Sequence, residues 1–441
     1  MSLSFIANEL LLFAACFYLL LGIDDLLVDL GWLFKGRKPD DEFQAVAGGM
    51  GDRKIAVFVA AWQESEVIGA MVSNARKQWG NSNYCIFVGC YPNDPDTQNA
   101  VDPYVDDWVC KVVGPHDGPT SKADCLNQIW RAMLNRDDHA DFTTVLLHDA
   151  EDLVHPREIE VFSQFSKHYD FLQIPVVPLP DKKSPWVAGH YLDEFAEAHQ
   201  KELPFRQCLG ASLPSAGTGC AVSIKALRSI ALRKDDNPFD AASLTEDYEL
   251  GLSLWQAGFQ SRFLRLRDPV DESLIAIRSH FPDNIRASIR QKTRWIMGIA
   301  LTGWDRVGWH GGLAEHWMRW RDRRILLSSM VMMAGYSGAI LSIAILANGG
   351  QLAVNSVVVS LLQINMTLLI WRWAMRAIFT ARQYRIGQGL MSIPRALMGN
   401  LIAISSSASA LFSYGRYLLT GHVRWNKTSH RFPTDQAQLD Q

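Results

Sequence analysis

Apolar residues are unevenly spread along this chain. An almost unbroken run occupies residues 5–22 (FIANELLLFAACFYLLLG), and two more lie toward the other end, 325–347 (ILLSSMVMMAGYSGAILSIAILA) and 352–371 (LAVNSVVVSLLQINMTLLIW). Each approaches or exceeds the length a helix needs to cross the hydrocarbon core of a bilayer. The first has no basic n-region and no small-residue cleavage site, so it reads as an anchor rather than a signal peptide. Lys35, Arg37 and Lys38 follow it; Arg321, Arg323 and Arg324 precede the second run; Arg372, Arg376, Arg382 and Arg385 follow the third. Positive charge favours the cytoplasmic side. The N-terminus is therefore expected outside, and residues from about 40 to 320 inside. Asp24, Asp25 and Asp29 lie just past the first run. They either cap the span at the interface, the preferred reading, or form an intramembrane polar site. Residues 394–420 are apolar but broken by Asn400 and three serines. A crossing would put the tail outside; an amphipathic helix on the surface would keep it inside.

Between the membrane runs the pattern changes to short apolar stretches alternating with helical periodicity. KIAVFVAAW (54–62), NYCIFVGCY (83–91), FTTVLLHDA (142–150) and DFLQIPVVPL (170–179) read as strands, and ESEVIGAMVSNARKQW after the first reads as a helix. Such alternation predicts an α/β domain with a mostly parallel sheet and flanking helices, inserted between transmembrane helices. Ligands of such sheets bind at the carboxyl ends of the strands.

Chemistry gathers at one such end. In L-L-H-D-A-E-D-L-V-H-P (146–156) a strand delivers Asp149, with Glu151 two residues on and Asp152 beside it. Two carboxylates so placed can hold Mg²⁺ or Mn²⁺, which prefer oxygen ligands and also bind substrate phosphates; a solvated acidic turn capped by Asp152 has the same pattern. In P-T-S-K-A-D-C-L-N (119–127), Lys122 opens a helix, where it can meet a diphosphate or simply be solvated. S-A-G-T-G-C (215–220), with Thr218 and Gly219, is a tight loop that permits close backbone approach or makes an ordinary turn. L-T-E-D-Y-E-L-G (244–251) places Glu246 and Asp247 at a helix start, as cap-region acids or as a general base. In R-Q-K-T-R-W (290–295), Gln291, Arg294 and Trp295 share one helical face, suited to phosphate binding and ring stacking. Arg286, Arg290 and Lys292 of the same helix would face lipid headgroups.

A net charge of −3 gives no nucleic-acid footprint. The seven cysteines are scattered with no C-x-x-C, which argues against a disulfide framework or structural zinc site.

H-D-A-E-D, G-T-G, T-E-D and Q-K-T-R-W, in this order between membrane runs, resemble the membrane-embedded family-2 glycosyltransferases, the relatives of cellulose, hyaluronan and poly-N-acetylglucosamine synthases. The likeness covers about residues 50–430 and is nearest to the glycosyltransferase part of the bacteriophage adsorption protein B family. It implies a GT-A fold and an inverting, metal-dependent hexosyltransferase in a bacterial inner membrane. The donor would be a UDP-sugar, a UDP-N-acetylhexosamine or UDP-hexose. The acceptor would be a growing polysaccharide or a lipid-linked acceptor, with an outer-membrane export partner or a homodimer serving extrusion; the alternatives are a single sugar transfer to a lipid phosphate carrier and a non-catalytic membrane scaffold or receptor component. By the same resemblance Trp62 and Glu64 (A-A-W-Q-E), Asp94 (Y-P-N-D-P) and Lys122 would contact the nucleotide. Asp149 and Glu151 would be the metal-binding pair, with Asp152 as an alternative because the second acid is Glu rather than Asp. Asp247 would be the base. Gln291, Arg294 and Trp295 would form the diphosphate and acceptor platform. Trp425, Lys427, Thr428 and His430 of W-N-K-T-S-H would close over the donor. The expected organisation is a membrane helix and juxtamembrane segment (1–40), the catalytic domain (41–280), interface helices with Q-x-x-R-W (281–324), two membrane helices (325–371), and an interfacial helix, loop and tail (372–441).

Overall fold

The computed structural model describes residues 3–36, 53–352, 355–421 and 431–433. Trp425, Lys427, Thr428 and His430, the expected closing loop, lie outside the described residues. Helix α1 (Leu3–Gly31) leads into β1 (Lys54–Ala60), α2 (Ile68–Trp79), β2 (Tyr84–Cys90), α3 (Pro95–Val101), β3 (Val109–Val113), α4 (Lys122–Leu134) and β4 (Phe142–His148). Then come α5 (Glu158–Phe165), β5 (Phe171–Gln173), β6 (Val176–Pro178), α6 (Val187–Glu197), α7 (Leu203–Cys208), β7 (Cys220–Ser223), α8 (Ile224–Ala231), α9 (Glu246–Gln256), β8 (Ser261–Phe263) and β9 (Ile277–Ser279). Helices α10 (Ile285–Ile296), α11 (Gly303–Val307), α12 (Leu313–Arg323), α13 (Ile325–Ala347), α14 (Ser356–Tyr384) and α15 (Ile386–Thr420) complete the described chain.

The main sheet runs β3-β2-β1-β4-β7-β5-β8, with β6 and β9 paired separately. Strands β3, β2, β1 and β4 are parallel, β7 is antiparallel to both β4 and β5, and β5 and β8 are parallel. The continuous apolar runs of β1 and β4 fit because both faces of the sheet are covered. Ile55, Val57 and Val59 pack on one side with α2 and α5, while Ala56 and Phe58 pack on the other with α4, α8 and α9. The stretch 170–179, read as one strand, is two. Pro175 has no N–H to continue the ladder, so β5 stays in the main sheet and β6 pairs with β9.

Among the described residues, four helices are long and apolar enough to cross a membrane: residues 3–35 including α1, then α13, α14 and α15. The first outruns the sequence-based limit of residue 22. Three of its acids meet protein partners: Asp24 and Asp25 pair with Arg321 and Arg324, and Asp29 accepts from Lys201 (2.5 Å) and from the indole of Trp371 in α14 (2.8 Å). Helix α15 also starts earlier than expected and runs unbroken past Pro394. Its buried side touches the domain and the near end of α13: Arg395 pairs with Asp193 (2.7 Å), Asn400 donates to Tyr336 (2.9 Å), and Ser407 meets Ser329 (2.8 Å). Ile386, Leu390, Leu397, Leu401, Leu411, Phe412, Leu418 and Leu419 fall on the opposite, exposed side at helical spacing.

Candidate active site

Most of the motif residues converge on one cavity of about 970 Å³ at the carboxyl ends of β1 and β4. Trp62 and Glu64 follow β1 and line it. Gln63 between them has φ +53°, a left-handed backbone. Its N–H donates to Asp94 Oδ2 (2.6 Å), and the Glu64 N–H donates to the Thr97 hydroxyl (2.9 Å). Asp94 is the residue expected to contact the nucleotide. Its carboxylate caps α3 and braces the Trp62 loop, and it is not among the cavity's lining residues. The Trp62 ring meets Tyr91 edge-on with centroids 5.0 Å apart. Gly118 lies so close to the indole that a Cβ would collide with it. The Asn93 side chain clasps Gly118 in both directions, accepting from its N–H (2.8 Å) and donating to its carbonyl (2.7 Å).

Lys122 opens α4, where Ser121 caps by accepting from the Asp124 N–H (3.2 Å). Its ammonium donates to the Asp149 carboxylate and to the Gly217 carbonyl (3.2 Å). Asp149 and Glu151 both line the cavity; Asp152, 1% exposed, does not. Thr218 lines it as well, but Gly219 turns inward beneath Ile277. Gly217 is the close approach instead. Its φ is +75°, and a Cβ there would run into the Asp247 carboxylate. Gln173, buried in β5, fixes this loop by accepting from the Ala216 N–H (2.9 Å) and donating to the Thr218 carbonyl (2.9 Å). Neither Gly217 nor Gln173 was assigned from sequence; an isolated Gln in an apolar strand was the available signal for the latter.

Glu246 and Asp247 form the first turn of α9 and line the cavity. Thr245 stands at the cap position, but its hydroxyl makes no cap bond. These acids are thus not arranged as a capping box. Burial raises the pKa of Glu246 to about 7, and Asp247 beside it pushes the same way against Lys122. Burial also raises Asp247, with Lys122 and Arg294 opposing. For Lys122, burial works against the charged form, yet Asp149, Glu246 and Asp247 more than offset it, so the ammonium is held. Gln291, Arg294 and Trp295 of α10 all face the cavity. Lys292 points elsewhere, bridging both oxygens of Glu194 (2.6 and 2.7 Å). The far wall contains Arg206, Tyr248, Asp322, Arg321 and Arg324, none assigned to the site from sequence.

No group of three or more His, Cys, Asp or Glu is gathered as a metal cage among the described residues. Asp149 and Glu151 nevertheless fit a hard divalent ion that takes its remaining ligands from phosphates. Lys122 already places positive charge against Asp149.

Three comparisons bear on this arrangement. The family described as "Glycosyl transferase family group 2" matches residues 144–376. The chain is 35% identical over 413 residues to the bacteriophage adsorption protein B of Escherichia coli K12 and, equally, to the bacteriophage N4 adsorption protein B of Escherichia coli O157:H7. These alignments cover 87% of this chain and 55% of each relative, so the chain spans about half their length. The fold is similar to that of a mannosyltransferase, PcManGT, from Pyrobaculum calidifontis, solved in complex with GDP-Man and Mn²⁺. The TM-score is 0.54 at 13% identity, covering 93% of this chain and 99% of that one. The mostly parallel sheet with flanking helices is thus a GT-A fold carried by membrane-type helices. With the family match spanning more than half of its residues, the chain belongs to glycosyl transferase family group 2.

Proposed function

We propose that the protein is an inverting glycosyltransferase of a bacterial inner membrane. It transfers a sugar from a nucleotide-diphosphate sugar, a UDP-N-acetylhexosamine or UDP-hexose, to a growing polysaccharide. The observation that carries this reading is the convergence of Trp62, Lys122, Asp149, Asp247, Arg294 and Trp295 on one cavity. Trp62 and Glu64 receive the nucleoside. Lys122 and Arg294 face the diphosphate, and Gln291 orients it. Asp247 accepts the proton of the acceptor hydroxyl as that oxygen attacks the anomeric carbon and the nucleoside diphosphate departs. Trp295 stacks against the acceptor sugar. Asp149 and Glu151 would hold Mg²⁺ or Mn²⁺, which would supply charge neutralisation for the leaving diphosphate. The PcManGT structure, solved with GDP-Man and Mn²⁺, supports a nucleotide-diphosphate sugar as donor and a divalent metal.

A lipid-linked acceptor is the second reading. It is favoured by the cavity wall that reaches Arg321 and Arg324, the latter joining α12 to the apolar α13. Nucleotide release by the chain in lipid nanodiscs, across a panel of UDP-sugars and GDP-mannose with Mg²⁺ or Mn²⁺, tests the proposal. Release with one donor, abolished by EDTA and in Asp247→Asn, is expected; donor binding with no turnover in the presence of acceptor glycans or lipid phosphates would defeat it. Product size separates polymer from single transfer.

A further inference from the structure

Asp152 was a candidate metal ligand by sequence, but its surroundings give it another task. We propose that Asp152 is a positioning residue that locks the metal-side turn to the loop beneath the catalytic base, and that it does not ligate the metal. One oxygen, Oδ2, accepts from the Asp149 N–H (2.9 Å), from His148 Nδ1 (2.9 Å) and from the Thr218 hydroxyl. The other oxygen is shut away from solvent, and the residue is absent from the cavity wall. His148 is fully buried and reaches in the opposite direction to Glu158 Oε1 (3.0 Å), which anchors the cluster to α5.

The geometry joins the two halves of the site through one carboxylate. On one side lies the turn carrying Asp149 and Glu151. On the other lies the loop whose Gly217 carbonyl accepts from Lys122 and whose Cα packs on Asp247. A shift of the Thr218 loop therefore moves Lys122 and Asp247 relative to Asp149. Misplacement of about 1 Å between reacting groups can cost on the order of a hundredfold in rate. Asp152 acts through this bond, not by touching substrate.

The inference rests on the glycosyltransferase reading, and its test separates the two. Asp152→Asn, Thr218→Val, Thr218→Ser and Asp149→Asn would be compared in the full chain in nanodiscs. Mn²⁺ affinity would be read directly from the loss of the free-ion electron paramagnetic resonance signal, and kcat and donor KM from nucleotide release. The expected result for Asp152→Asn and Thr218→Val is a fall in kcat of about tenfold to a hundredfold, with Mn²⁺ affinity within about twofold of wild type. Thr218→Ser, which keeps the hydroxyl, should restore kcat, and Asp149→Asn should weaken Mn²⁺. A loss of Mn²⁺ affinity in Asp152→Asn matching that of Asp149→Asn would overturn the proposal, as would unchanged kcat in both Asp152→Asn and Thr218→Val. Thr218→Val leaves Asp152 in place and tests the same bond should the Asn variant fail to fold. Wild-type chain inactive on every donor would count against the transferase reading, while the Mn²⁺ titration would still decide whether Asp152 is a ligand.

Discussion

Replacing Asp247 by Asn keeps the side chain's shape and removes its capacity to take a proton. If it is the base, kcat should fall by more than about a hundredfold with donor binding retained, measured by nucleotide release and by calorimetry of UDP binding. Turnover near wild type would remove Asp247 from that role. The pH profile follows from the same pair of acids. Both are raised by burial, Glu246 to about 7, and a protonated base is inactive. kcat/KM should therefore climb with pH above the ordinary carboxylate range and then level off, reporting the pair as a unit. The stability sign is opposite. A carboxyl whose pKa is raised on folding contributes stability below its unfolded value of 4.5, and this is lost as pH rises toward 7. Glu246→Gln is thus expected to raise the melting temperature at pH 8, read by scanning calorimetry. Gly217→Ala combines an unfavourable left-handed backbone with a collision against Asp247; a severe loss of kcat is expected, and ordinary turnover would show that the loop can move aside. Asp149, Lys122, Asp247 and Arg294 stood out in the sequence because each belongs to a compact motif. Asp152 stood out too, as an alternative metal ligand, and Gly217 lay within G-T-G, but the parts they play did not, since a close approach or a shared acceptor exists only once two distant segments have met.

At the scale of elements, charges tie the membrane-type helices to the domain. Lys201 is wholly buried between Asp29 of α1 and Glu197 of α6 (2.5 and 2.6 Å), and Glu197 in turn meets Arg372 of α14 (2.5 Å). Removing one member of a buried network strands its partners, at a cost of about 3–5 kcal/mol. Lys201→Met should accordingly lower the thermal midpoint of detergent-solubilised protein and loosen α1, seen as faster proteolysis near residue 36; an unaltered midpoint would mean that the cluster relaxes or admits water. The strands that carry the site were readable because their apolar runs are long and uninterrupted. The short β7, β8 and β9 were not, since three or four residues give no period to detect. The antiparallel direction of β7 is set by its neighbours β4 and β5, not by its own residues.

For the whole molecule, the lie of α15 sets the side on which the chain beyond it emerges. Length and hydropathy allow it to cross a bilayer; it packs on α14 and the first half of α13, and its polar contacts also reach α6 and α10 of the domain side. Arg431, just past the undescribed segment, pairs with Asp181 (2.8 Å), and both line the cavity. The polar contacts with α6 and α10 and the Arg431–Asp181 pair support an interfacial helix with its apolar side toward lipid. A cysteine introduced at Gly421 should then react with an impermeant thiol reagent from the same side as one at Gly312, and one at Gly349 from the opposite side. Labelling of the Gly421 and Gly349 cysteines from one side would make α15 a fourth span.

Local pattern and composition alone determined that apolar helices flank an α/β domain, that the domain's sheet is mostly parallel, and that acids sit at strand and helix ends. These are properties of consecutive residues, whose hydrophobic period and turn chemistry need no distant partner. Tertiary structure decided which acids face the cavity and which brace it, that Asp24, Asp25 and Asp29 find cationic partners, and that Gly217 meets Asp247. Each depends on residues far apart in the chain being held within a few ångströms, a relation that sequence order does not carry.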